Sequence, residues 1–133
     1  MRCFAEIKDK PAEMLEANHG GFGPIHFRRL LTEQDFLAPV DFVDFTVIPP
    51  GSTIGFHEHR GNDELYFIAS GAPLMRVGDE HRRLARGSVS VVHSGESHQL
   101  INDTQENIEI LVMQVRLVPS QAPSEKITKP NAC

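Results

Sequence analysis

Cysteine is scarce in this chain: Cys3 and Cys133 are the only two, set near opposite ends of its 133 residues. Such a pair makes neither a disulfide framework nor a CxxC redox motif, and both are read as free thiols. Long apolar runs are missing as well, and none approaches the roughly 20 residues that a membrane helix needs. The first residues, Met-Arg-Cys-Phe-Ala-Glu-Ile-Lys-Asp-Lys, turn polar before a signal-peptide core can form, so a cytoplasmic protein with no membrane partner is expected. Charge of one sign never gathers into a block: 18 acidic and 13 basic residues are interspersed, for a formal charge of −5. That leaves no electrostatic footprint for nucleic acid, and no DNA-binding helix pair is evident. A small molecule is the expected partner. What remains is a composition with 40% hydrophobic and 23% charged residues, suited to one globular domain.

Most of the chain reads as short strands separated by turn formers. Strands are expected over 25–31, 42–48, 54–59, 64–70, 74–77, 81–84, 88–92, 99–101 and 108–117, with Pro49-Pro50-Gly51, Gly61-Asn62-Asp63, Gly78-Asp79-Glu80 and Asn102-Asp103-Thr104 as punctuation. Many short strands at this spacing make an all-β sandwich or small barrel. One short helix is expected over 11–18, where Pro11 suits a first turn, good helix formers follow and Gly20-Gly21 lie beyond. After Val118 three prolines and few apolar residues mark a flexible tail. The expected organisation is therefore an N-terminal segment over 1–23, a β-barrel over 24–118 and a tail over 119–133.

Three histidines and a glutamate carry the chemistry. His57 and His59 are two apart, so on a strand both imidazoles face one side, whereas on a helix they would diverge by about 200°. Glu64 follows a run of turn formers and can face them from the next antiparallel strand, and His98 arrives from far along the chain. Neutral imidazoles with one carboxylate suit a divalent transition metal and not calcium, and an octahedral ion would keep two positions open. If Glu64 points inward, alternation sends Tyr66 and Ile68 inward and Leu65 and Phe67 outward. Tyr66 is then either a polar pocket contact or a core tyrosine. His26 and Arg28 share a face, where they either bind an anionic or carbonyl group or meet solvent. Phe45, Leu100, Leu111 and Met113 are read as core around the site, and His81 and His93 as structural.

The layout resembles the cupin superfamily on both of its motifs. The first, glycine, five residues, His-x-His, three or four residues, glutamate, six residues, glycine, is met by Gly51, His57, His59, Glu64 and Gly71. The second is met by Gly87, Gly95, His98 and Asn102, with His93 standing where the family has proline. The resemblance implies a double-stranded β-helix, a jelly-roll barrel, with one divalent metal on His57, His59, Glu64 and His98: iron first, with manganese, nickel, copper or zinc as alternatives. It also implies a homodimer, to which Phe4, Ile7, Met14 and Leu15 of the N-terminal segment would contribute. Its functional implication is a metal-dependent enzyme acting on a small oxygenated molecule, most often by dioxygenase chemistry and in some cases beside natural-product genes, with Glu64 and Tyr66 at the reacting centre. A redox-neutral isomerase, dehydratase or cyclase and a binding module without turnover are the alternatives.

Overall fold

The computed structural model of the protein describes residues 4–118, so the expected tail and both cysteines lie outside the described residues. Among the described residues ten strands form two antiparallel sheets. They are β1 (Glu13–Glu16), β2 (Pro24–Thr32), β3 (Val40–Ile48), β4 (Thr53–Glu58), β5 (Asn62–Ser70), β6 (Leu74–Val77), β7 (Glu80–Arg83), β8 (Val89–Val92), β9 (Ser97–Ile101) and β10 (Ile108–Arg116). One sheet has six strands in the order β1-β2-β3-β10-β5-β8, and the other has four in the order β4-β9-β6-β7. Consecutive strands repeatedly land in different sheets, which is the winding of a double-stranded β-helix. Among the described residues no helix is long and apolar enough to cross a membrane.

Alternation builds the core. Along β10, Ile108, Ile110 and Val112 are buried, and along β5 Glu64, Tyr66 and Ile68 are, as the expected parity requires. Ile25, Ile48, Ile54, Met75 and Leu100 complete the cluster between the sheets. Burying each such aliphatic side chain stabilises the fold by roughly 1.5–3 kcal/mol. Phe45, Leu111 and Met113 depart from the expected placement around the site. Their neighbours Asp44, Thr46 and Val112 take the inward positions, which puts these three half-buried on the outer face of the six-stranded sheet. Only Leu100 of that group is core.

The helix expected over 11–18 does not form. Glu13–Glu16 is instead an edge strand paired with β2, Glu13 opposite Phe27 and Glu16 opposite Pro24. Eight residues are too few for a helix to persist on propensity alone, and this segment has no apolar stripe to bury. Pairing with an open strand edge satisfies its backbone better.

Candidate functional site

His57 lies near the end of β4, directly opposite His98 on β9. The chain then turns, and His59 is held just past the strand by two backbone hydrogen bonds: its N–H donates to Glu96 O (2.9 Å) and its carbonyl accepts from the Gly95 N–H (2.7 Å). Glu64 points inward from β5. The three imidazoles thus come from the small sheet and its flanking loop, and the carboxylate from the large one. Their donor atoms converge. Nε2 of His57, His59 and His98 are separated by 3.0, 3.0 and 3.2 Å, and Oε1 of Glu64 lies 3.2 Å from both His59 and His98. The His57–Glu64 pair is the wide one, at most 4.8 Å. His59 (7% exposed), Glu64 (7%) and His98 (1%) are all buried.

These residues fit a metal ion on the chemistry of the donors. His57 Nδ1 is 2.7 Å from the Gly55 carbonyl and His59 Nδ1 is 2.7 Å from Asn62 Oδ1, so both rings donate through Nδ1 and keep a lone pair on Nε2. Two lone pairs and a carboxylate then face one point beside His98 Nε2, an arrangement that a cation, an added proton or an Nε2–H of His98 relieves. The spacings also fit. Adjacent corners of an octahedron with bonds of about 2.1–2.2 Å lie about 3.0–3.1 Å apart and opposite corners about 4.3 Å. Five of the six pairs match adjacent corners, and His57 and Glu64 match an opposite pair. An octahedral ion held by these four would keep two positions for other ligands.

Electrostatics follows from burial and contact. Burial holds His57 down at about 4, against the raising effect of its Nδ1–H hydrogen bond to the Gly55 carbonyl. His59 is raised, first by its hydrogen bond to Glu64. For Glu64 burial opposes ionisation, but hydrogen bonds and charge attraction from His59 and His98 outweigh it and bring the carboxyl to about 2. Tyr66 is fully inside, with its ring centroid 4.8 Å from that of His98. Burial first, then the Glu64 charge, pushes its hydroxyl well above the usual range and keeps it protonated.

A cavity of about 180 Å3 adjoins this cluster, with Glu64, Tyr66, His19, Arg29, Phe27 and Phe42 in its wall. Sequence reasoning missed His19. It sits in the β1–β2 loop with φ of 52°, a left-handed conformation that is uncommon for a residue other than glycine, and its ring stacks flat on His57 at 3.7 Å. The loop is clamped onto β4 by two glycines: a Cβ on Gly55 would lie 2.2 Å from His19 O, and one on Gly21 2.5 Å from Thr53 O. The triplet of glycines at 20, 21 and 23 was the only sequence signal of such a close approach. Arg29 was missed too. Ile25, Phe27 and Arg29 take the inward parity of β2, so His26 and Arg28 face away, and Arg28 instead donates to the carbonyls of Ile7 and Lys10. His81 is exposed on β7. His93 is exposed beside Asp63 (3.2 Å), outside the cluster. Asn102 is buried and structural: its amide donates to Ile48 O and Glu106 O, both at 2.8 Å, and ties β3 to the loop before β10.

A double-stranded β-helix here encloses three imidazoles and a carboxylate that could hold a metal ion, beside a cavity of about 180 Å3. The chain belongs to the cupin family: the model of the cupin domain matches residues 44–114. It is 28% identical over 105 residues to an oxalate-binding protein of Thermotoga maritima, covering 79% of this chain and 87% of that protein. A solved structure described as a predicted oxalate decarboxylase from Thermotoga maritima superposes with a TM-score of 0.83 at 25% identity, covering 86% of this chain and 100% of that one. The structure of KdgF from Halomonas sp. shares the fold, with a TM-score of 0.70 at 16% identity over 88% of this chain and 96% of that one.

Proposed function

We propose that this cupin is a metal-dependent enzyme acting on a small oxygenated organic molecule, by an oxidation that uses dioxygen. The observation that carries the reading is the donor set: His57, His59, Glu64 and His98 bring four donor atoms to one point, where they would hold a divalent ion, beside a cavity of small-molecule size. A nitrogen-rich set with one carboxylate suits divalent iron, with manganese, nickel, copper and zinc also compatible. When bound, such an ion supplies Lewis acidity and, if it is iron, a one-electron couple for dioxygen. The protein's own residues set the surroundings. Glu64 brings the single negative charge among the ligands, Tyr66 offers a hydroxyl that stays protonated at Oη, and Ile25, Phe27, Phe42, Ile54 and Val112 give the cavity an apolar share of its wall.

The similarity to an oxalate-binding protein favours a second reading, in which the site holds a small dicarboxylate without dioxygen, either unchanged or in a redox-neutral reaction. One experiment separates the readings. Metal-replete protein is given small 2-oxo acids, dicarboxylates and diketones in air and under anaerobic conditions, with oxygen uptake and products followed together. The expected result is uptake that requires both metal and substrate. Equal product without dioxygen would replace the oxidation with the redox-neutral route, and tight binding with no product would favour the binding module.

A further inference from the structure

Resting on the reading of a metal-bound small molecule, we infer that the molecule is an elongated acid and that Arg29 is the residue that receives its far carboxylate. Arg29 lies in the cavity wall and its side chain is 45% exposed, whereas its partner Asp44 is only 9% exposed. Asp44 takes two of the five guanidinium N–H groups, Nε–H at 2.9 Å and one on Nη2 at 3.1 Å. Among the described residues the opposite edge, with Nη1 and the second Nη2 hydrogen, makes no hydrogen bond, though the Glu13 charge also acts on this guanidinium. The guanidinium also lies over the Phe42 ring at 4.5 Å and near that of Phe27 at 5.9 Å. Asp44 and the two rings fix its plane, so the free edge is presented without a further ordering cost, which is how an arginine grips a carboxylate with both nitrogens.

Sheet register sets the length of the ligand. Arg29 pairs with Asp44, Asp44 with Val112 and Val112 with Tyr66, so Arg29 and Tyr66 share one row across the six-stranded sheet. Three strand spacings make that row roughly 14 Å long. The arginine leans one strand toward Asp44, leaving roughly 10 Å between its head and the Tyr66 end of the cavity. Oxalate, whose two carboxylates are joined by a single bond, does not bridge that gap. The fitting molecule has oxygen donors at the metal end, an apolar stretch along Phe27, Phe42 and Val112, and an anionic group at Arg29.

The test uses the manganese-loaded full chain and two probes, 2-oxoadipate and 2-oxohexanoate, which share a head and a chain length and differ only in the terminal carboxylate. Calorimetry is expected to show at least a tenfold preference for 2-oxoadipate, the effect of a charge-assisted pair. The variant R29M/D44N, which avoids leaving Asp44 as a buried unpaired charge, is expected to lose that preference while keeping its metal content and its affinity for 2-oxohexanoate. Equal binding of the two probes by the native chain, or a preference that survives in R29M/D44N, overturns the assignment of Arg29 and leaves the metal-site reading standing. Failure of both probes to bind a fully metal-loaded protein overturns the two together.

Discussion

Protons and a metal ion compete for the same lone pairs here, and the four ligands do not yield to acid together. His59, raised by Glu64, takes a proton first, while burial keeps His57 neutral down to about 4 and Glu64 stays ionised to about 2. Metal affinity should therefore begin to fall above the ordinary histidine value of about 6.5 and drop about tenfold per pH unit below it, measured by competition with a chromophoric chelator. Without metal, His57 and Glu64 have folded-state values below their ordinary 6.5 and 4.5, so both favour folding at higher pH, over 6.5 to about 4 and 4.5 to about 2. His59 acts oppositely, but below about pH 5 it is protonated in both states. The urea midpoint of metal-free protein should thus drop most steeply from about pH 5 to pH 3. His59→Ala should cost more than the roughly hundredfold typical of losing an outer-shell partner, whereas His93→Ala should leave metal content unchanged by elemental analysis. The convergence of His57, His59, Glu64 and His98 was legible because strand parity and a fixed spacing encode it. His19 and Arg29 were not, since the first depends on a loop folding over β4 and the second on which parity of β2 faces inward.

At the scale of elements, the loop between β1 and β2 is placed by contact of main chain against main chain. Gly55→Ala puts a methyl group into the His19 carbonyl, so the loop must lift and carry the His19 ring away from His57. The expected loss is about 1–3 kcal/mol of stability, with metal retained and affinity for the cavity ligand reduced; unaltered ligand affinity by calorimetry would place His19 outside the binding surface. Strands from β2 to β10 were readable to within about two residues because turn formers and alternation agree along them. The segment before Gly20 misled because proline and good helix formers describe only local preference. Its structure is decided by the free edge of β2, which no local pattern reveals.

For the whole molecule, the exposed apolar residues favour a second copy as their cover. Phe45, Leu111 and Phe67 form one cross-strand row on the outer face of the large sheet, and Phe4, Ile7, Met14 and Leu15 stand exposed on the N-terminal segment. A homodimer of twice 14.8 kDa is the expected solution state, and light scattering that returns a single chain's mass at micromolar concentration would refute it. The two-sheet winding itself was legible from the motif spacing, whereas the outer row was not, because Phe45 and Leu111 look the same in sequence whether they face the core or the outer surface. The division of the ligands between sheets has a mechanical side. Two nitrogens belong to one hydrogen-bonded layer, the third to the loop bound to that layer, and the carboxylate to another layer that shares no ladder with it, so an ion held among them would be a clasp across the sandwich. Fastening the two layers together in this way, a bound ion should slow exchange of the amide hydrogens of β5 and β9.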